Sequence, residues 1–458
     1  MANIEPSGRA QPPPPPPPPG RPVPRRQVVS WALWDWATQP LNTVIITFVF
    51  TALYLVSDAF LDPVVAALGE GDPVYDRALA GLASDLGIGL AVAGVLIALI
   101  APVLGQRADV TGRRKAWLGL GTAVVVLCLF GLFFVEADPR FFWLGVVLIA
   151  VASIFEEIAG VNYNALLVSV STPRTIGKVS GVGWGMGYLG GIIALTLIVI
   201  ATQADWWGMP TDNGMAFRVI GLGCAIWAIA FAWPLFVFVP NPPANNAQKV
   251  GLLESYRVLF RHVAELWRTS RSVVWFLLAS AVFRDGLAGI FTFGALIAAT
   301  SFGFSATGVM LFGIAANLIA GVATMIAGWF DDRFGPRAVI VVSLTGIVIA
   351  GLAVVLLRDL GQIVFWIGGL ALSSLVGPAQ AASRSFLGRV APAGREAEVF
   401  GLYATTGRAV SFLAPGMFAL AVAVTGATIW GTLGVLLVVL AGLLMMLLVE
   451  DPQRAPHH

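Results

Sequence analysis

The chain has 458 residues, of which 58% are hydrophobic and only 11% charged, and its 27 Lys and Arg against 25 Asp and Glu leave a formal net charge of +2. Soluble domains carry about a quarter charged residues, so this chain cannot cover itself with a polar surface, and its near-neutral balance gives no reason to expect nucleic acid as a partner. Apolar runs of about 18 residues or more recur from end to end, each long enough for a hydrocarbon core of about 30 Å, which makes this a polytopic helical protein of the lipid bilayer.

Within residues 1–29, Pro12 to Pro19 form an unbroken proline run. Such a run extends as polyproline II with nothing to bury, so the stretch reads as a disordered cytoplasmic tail, with recruitment of a proline-reading domain as the alternative. Met1 to Gln27 has no apolar core of the kind a cleavable signal needs. The first span, 30–56, opens with SWALWDWATQP, which sets Asp35 between two tryptophans, and Pro40 should kink it. Five more spans follow near 82–104, 116–135, 141–168, 179–201 and 217–239. Span 4 carries Glu156, Glu157 and Asn162, and span 5 carries GVGWGMGYLGG. Gly185, Gly187 and Gly190 match a phosphate-binding spacing by accident, since no strand–turn–helix unit surrounds them. The informative spacing is Gly183, Gly187 and Gly191, four apart on one helical face, where small residues admit a close neighbour. Span 8, with Gly313 and Gly321, is the expected partner.

Residues 240–272 form the longest connection. Within it Leu252, Leu253, Tyr256, Leu259, Phe260, Val263 and Trp267 recur at helical spacing, interleaved with Arg257, Arg261 and Arg268. That is the pattern of an amphipathic helix lying in the membrane interface; docking of a partner protein is the alternative. Six further spans follow near 273–300, 305–330, 338–357, 362–387, 400–424 and 429–449. Span 7 carries Arg284 and Asp285, span 10 Gln380 and Arg384, and span 11 Arg408. Residues 450–458 are a short tail whose His457 and His458 read as a tag remnant. Cys128 and Cys224 lie inside apolar spans and read as packing residues, and no spacing suggests a metal site or a cofactor.

Lys and Arg set the orientation. Loops on one side hold Arg107, Arg113, Arg114, Lys115, Arg174, Lys178, Arg333, Arg337, Arg389 and Arg395, as well as the basic linker, whereas the opposite loops hold only Arg77, Arg140 and Arg358. Both termini are therefore expected in the cytoplasm, with the chain a monomer in a bacterial-type inner membrane. The chain also repeats itself: Gly105, Asp109 and Gly112 in GQRADVTGRRK find counterparts about 220 residues later at Gly328, Asp332 and Gly335 in GWFDDRFGPR. An offset of this kind marks two parallel six-helix halves, here 30–239 and 273–449.

No P-loop appears, so ATP is not the expected energy source. A charge at the bilayer centre costs about 2.5–3.5 kcal/mol on insertion scales, so intramembrane ionisable residues are expected to face an interior cavity or one another. Neighbouring residues stand about 100° apart on a helix, so only one of Glu156 and Glu157, and one of Arg284 and Asp285, is expected to face a common cavity. Asp285, near the midplane, and one of the two glutamates are the candidate proton carriers. Asp35, Arg384 and Arg408 lie nearer the cytoplasmic side and would border the solute path as an ion-paired gate, with a protonatable Asp35 as the alternative. Asn162, Asn164, Gln380 and Trp184 would add hydrogen-bonding or stacking contacts to a polar solute.

The loop between spans 2 and 3, with its twin between spans 8 and 9, resembles the helix 2–3 loop of the major facilitator superfamily. The resemblance implies a gating role for Gly105, Asp109, Gly112, Arg113, Gly328, Asp332 and Gly335, and an all-α fold of twelve transmembrane helices whose spans 1, 4, 7 and 10 line a cavity. Further stretches are similar to one branch, the vacuole effluxer family of autophagy-related amino-acid exporters: Trp34-Asp35-Trp36-Ala37, Tyr163-Asn164-Ala165-Leu166-Leu167, Ser180 to Gly191, Asp285-Gly286, Gln380 to Ser385, and Gly394 to Gly401. Arg284 stands where that family tends to carry asparagine, and Thr38-Gln39-Pro40 and Val168 also depart from its pattern. The resulting expectation is a secondary transporter, not an enzyme, that exports an amino acid or related small polar metabolite by alternating access, coupled to protons or another ion. The alternative is a transporter-like sensor or scaffold that binds a solute without moving it.

Overall fold

A computed structural model describes residues 23–69, 71–241 and 252–450. The proline run at 12–19 and the histidines at 457 and 458 lie outside the described residues. Helix α1 runs over Arg25–Pro40 and continues in wide turns over Leu41–Phe48 and Phe50–Leu55. It is followed by α2 (Pro73–Thr111), α3 (Arg114–Gly131), α4 (Phe142–Leu166), α5 (Ile176–Gln203) and α6 (Met215–Phe238). A linker helix, Leu252–Thr269, leads to α7 (Arg271–Phe302), α8 (Ala306–Phe334), α9 (Pro336–Leu356) and α10 (Gln362–Val390). Helix α11 spans Glu396–Thr425 with a break between Ala409 and Leu413, and α12 is Gly431–Leu447. The described residues contain no strand.

Eleven of these helices are long and apolar enough to cross a membrane, and α1 is the twelfth. It falls short as a single α-helix because Pro40 sits inside it. Proline has no N–H to give to Trp36 O, and its ring crowds that carbonyl. Trp227 Nε1 on α6 supplies the missing donor at 3.1 Å. Beyond Pro40 the turns widen, with Val49 N donating to Val44 O and Val56 N to Thr51 O, five residues back, and the hydroxyls of Thr47 and Thr51 bond to the carbonyls of Asn42 and Ile46 at the same separation. Helix α1 also starts at Arg25, so the last residues assigned to the tail are helical. At the far end, Asp72 caps α2 by accepting from Val74 N at 2.8 Å while Pro73 occupies the first helical position, so α2 starts well before the hydropathic span does.

The chain divides into two halves, α1–α6 and α7–α12, that meet chiefly where α5 packs on α8 and α2 on α11. Glycine permits both contacts. A Cβ at Gly181 would stand 2.7 Å from Thr324 O, one at Gly328 2.7 Å from Gly177 O, and one at Gly401 2.6 Å from Pro102 Cα. The face expected to meet span 8 is a different one. Gly183, Gly187 and Gly191 pack against Trp31, Asp35, Gln39 and Thr43 of α1, within the first half, while Gly177, Gly181 and Gly185, turned around the helix, receive α8. Gly313 has open space around it.

The repeated loops close the same end of both seams. Gly112 ends α2 with φ +62° and Gly335 separates α8 from α9 with φ +87°, conformations that favour glycine. Asp109 accepts from the backbone N–H groups of Ala397 and Glu398 at 3.2 and 2.9 Å, and Asp332 accepts from those of Gly177 and Lys178 at 2.7 and 3.0 Å. Each aspartate thus caps the first turn of a helix in the opposite half, where the unsatisfied N–H groups and the positive end of the helix dipole favour an anion. Arg114 is buried and bridges Asp109 to Glu396, and Arg389 does the same between Asp331 and Asp332. The basic residue at this turn is therefore Arg114; Arg113, expected in that place, is exposed. Over this seam lies the linker helix. Its Tyr256 hydroxyl donates to Leu99 O of α2 at 2.9 Å, and His262 Nδ1 stands 3.0 Å from the Glu398 carboxylate of α11.

Two outcomes follow for the seams. Gly181→Ala should push α5 from α8 and cost about 1–3 kcal/mol by overpacking, read as a lower apparent Tm in detergent. Asp109→Asn with Asp332→Asn should remove both charge–dipole caps, each worth about 0.3–1 kcal/mol and up to about 2 when partly buried. With spin labels on Arg113→Cys and Arg333→Cys, both exposed sites, the double variant should shift the distance distribution towards separated halves; the native cysteines are buried and will not interfere.

Candidate functional site

Helices α1, α4, α5, α7, α10 and α11 surround a polar cavity of about 370 Å³. Of the residues expected at a solute or proton path, Asp35, Glu156, Glu157, Asn164, Trp184, Arg284, Gln380, Arg384 and Arg408 line it. The charges are divided by half: the three acidic side chains come from α1 and α4, and the three arginines from α7, α10 and α11.

On α1, Asp35, Thr38, Gln39 and Asn42 form a polar stripe at i, i+3, i+4 and i+7, so one face of an otherwise apolar span is turned to the cavity. Asp35 Oδ2 accepts from Tyr163 Oη at 3.3 Å and pairs with Arg384 Nη1 at 3.4 Å. Arg384 is 2% exposed, and its guanidinium reaches Ser180 Oγ at 3.0 Å, Ser180 O at 2.6 Å and Asn164 Oδ1 at 3.2 Å. The rings of Trp31, Trp184 and Tyr163 surround it at 5.0, 5.1 and 5.6 Å. One arginine of the second half is thus bonded to α1, α4 and α5 of the first.

Arg408 does not join this group. It pairs with Glu157 Oε2 at 3.1 Å, a second ion pair across the seam, so the gate network expected of Asp35, Arg384 and Arg408 is two separate pairs. Glu156 accepts from Asn42 Nδ2 at 2.6 Å and has no cation within ion-pair distance among the described residues. Both glutamates line the same cavity, contrary to the expectation that a 100° step would exclude one of them. The cavity is wide enough to reach from α1 to α11, so α4 forms its floor and side chains on either flank enter it.

Arg284 lies over the ring of Tyr403, 3.8 Å from its centroid, and donates from Nη1 to Tyr403 O at 3.1 Å. Asp285, one residue on, turns the other way. Its carboxylate accepts from Ala414 N at 2.6 Å and caps the part of α11 that resumes at Leu413, so this expected proton carrier does not line the cavity. Asn162 is fully buried, donates back to Ile158 O at 2.8 Å one turn earlier on α4, and is likewise outside it. Asn42, Tyr163, Tyr188 and Tyr403 also line the cavity, and of these only Asn42, at helical spacing from Asp35, has a signal in the sequence. A second cavity, of about 390 Å³, lies mainly within the second half among Phe293, Phe312, Phe365 and Leu372, and no charged residue lines it.

Residues 168–456 match the family model described as vacuole effluxer Atg22 like. Over 432 residues the chain is 26% identical to the uncharacterized MFS-type transporter YxiO of Bacillus subtilis, covering 93% of this chain and 95% of that one. It is also 26% identical over 277 residues to autophagy-related protein 22-2 of Aspergillus oryzae, spanning 54% of this chain and about half, 46%, of that protein. Among solved structures it is similar to the major facilitator superfamily transporter FucP in the outward conformation, with TM-score 0.68 and 13% identity over 93% of this chain and 99% of that one. It is similar also to the human organic anion transporter MFSD10, with TM-score 0.68 and 18% identity over 92% and 99%. This multi-pass membrane protein has the major facilitator fold, and it belongs to the vacuole effluxer Atg22-like family.

Proposed function

We propose that this chain, a secondary transporter by family and fold, moves a small zwitterionic solute, an amino acid or a close relative, by alternating access. The observation that carries the reading is the division of charge across the cavity. A zwitterion set between the walls meets acidic groups of the first half with its ammonium and arginines of the second with its carboxylate. Such a solute bridges both halves at once, which is the contact a rocking mechanism needs.

Apart from Asp35–Arg384 and Glu157–Arg408 at the cavity itself, the caps at Asp109 and Asp332 join the halves at the end that carries the termini. With the Lys and Arg bias assigning that end to the cytoplasm, we read this state as closed inward and facing out, the state that releases an exported solute, and the halves rock the other way to load the next one from the cytoplasm. The twin aspartate caps at Asp109 and Asp332 hold that closure. Glu156, with an amide but no cation beside it, and Glu157, in an ion pair that must break as α4 and α11 separate, are the groups suited to carry a proton.

The test is flux in proteoliposomes loaded with radiolabelled amino acids, with and without an imposed pH gradient. Gradient-dependent flux is expected in the native chain, and Glu157→Gln should lower it at least about tenfold, the effect of roughly 1.4 kcal/mol. Binding without flux would instead make the protein a solute-binding sensor. Arg384→Gln should behave differently: it strands Asp35 in a buried pair, so the fold itself should lose about 3–5 kcal/mol and the apparent Tm should drop. Glu156→Gln should leave Tm in place and alter only flux or its pH dependence.

A further inference from the structure

The three arginines of the cavity are not equally engaged. Arg384 has its guanidinium occupied by Ser180, Asn164 and Asp35, and Arg408 is paired with Glu157. Arg284 has no carboxylate within ion-pair distance among the described residues, because the adjacent Asp285 is turned away to Ala414 N. Three features nevertheless fix its guanidinium against the cavity wall: the Tyr403 ring beneath it, the Tyr403 carbonyl that takes one Nη1 hydrogen, and Gly407, where a Cβ would stand 3.2 Å from Nη1. A planar cation held at its edge, with most of its five N–H groups uncommitted and facing a polar cavity, is suited to grip a planar oxyanion by two parallel hydrogen bonds.

We propose that Arg284 is the carboxylate anchor of the cavity and its specificity-determining residue, selecting solutes that bear a carboxylate over otherwise identical neutral amides. This rests on the reading of the cavity as the solute site. Discrimination arises in two ways: the acid gains a charge-assisted pair, and the amide turns an N–H donor towards a guanidinium that has only donors to offer. Arg384 and Arg408 cannot substitute without abandoning Asp35 or Glu157.

The experiment is equilibrium binding to the purified full-length chain of acid–amide pairs: leucine with leucinamide, and lactate with lactamide. The lactate pair has no amine, so it isolates the carboxylate from the other pole of the site. At least one acid should bind about tenfold or more tightly than its amide. Arg284→Gln should bring that ratio to within about twofold by weakening the acid while leaving the amide unchanged. Arg284→Lys, which keeps the charge but lacks the fork, should give an intermediate ratio, and it decides the matter if the glutamine variant does not fold. The proposal is overturned if no acid in the panel is preferred over its amide, if the preference survives Arg284→Gln, or if Arg284→Lys leaves it undiminished. Flux measured on the same preparations separates the two readings: acid-selective binding without flux would end the transport reading and leave Arg284 as the anchor.

Discussion

Three acidic side chains face three arginines across one seam, and much of the architecture follows from keeping them there. In hydrocarbon a charged group has no water to turn to, so its partner must come from another part of the protein. Placing the acids on the first half and the arginines on the second makes the seam the surface where Asp35 finds Arg384 and Glu157 finds Arg408. The lipid-facing sides of the helices can then stay apolar, as exposed residues such as Leu99, Leu127, Ile349 and Leu444 do.

At the end that carries the termini the backbone joins the arginines as a partner, since Arg114 and Arg389 also pair with Asp109 and Asp332. Asp109 and Asp332 sit at equivalent turns of the two halves, and each spends its carboxylate on the opening N–H groups of a helix across the seam. These contacts are short-ranged and solvent-replaceable, unlike a packed apolar core, so a small change in energy can exchange them for water. Helix α5 serves both seams at once: one glycine face admits α8 of the other half, while another locks it to α1. A displacement of α8 is therefore felt at the wall that carries Asp35.

The span count, the doubling of the chain and the twin aspartate loops were legible because each depends on spacing along the chain, which a sequence displays directly. What the sequence could not give was which neighbour a helical face meets. Gly183, Gly187 and Gly191 do form a close-packing face, yet the helix they meet is α1, and nothing in their spacing distinguishes it from α8. Asp285 by its depth and Asn162 by its polarity were expected at the cavity, but their phase on α7 and α4 gives them to a helix break and to a backbone carbonyl. Neighbouring positions mislead in both directions: Arg114 displaces Arg113 at the turn because one step decides burial, whereas Glu156 and Glu157 both reach a cavity wide enough to ignore that step. The stripe of Asp35, Thr38, Gln39 and Asn42 carries a spacing signal for a wall of the site, although only Asp35 of the four was expected there.

The two halves are copies in fold but not in charge, and on the proposed reading that asymmetry is what lets one site serve two states. Were both walls of the same sign, apposing them would strand like charges in a medium that screens them poorly, and the halves would close only around a counter-ion. With opposite walls, Asp35–Arg384 and Glu157–Arg408 bind the halves to each other when the cavity is empty. A solute that carries both charges can replace part of that attraction without leaving either wall unsatisfied, whereas a singly charged solute leaves one wall short of a partner. Selectivity and conformational exchange then have a common origin, because a solute able to balance the two walls also spares the moving halves an uncompensated charge.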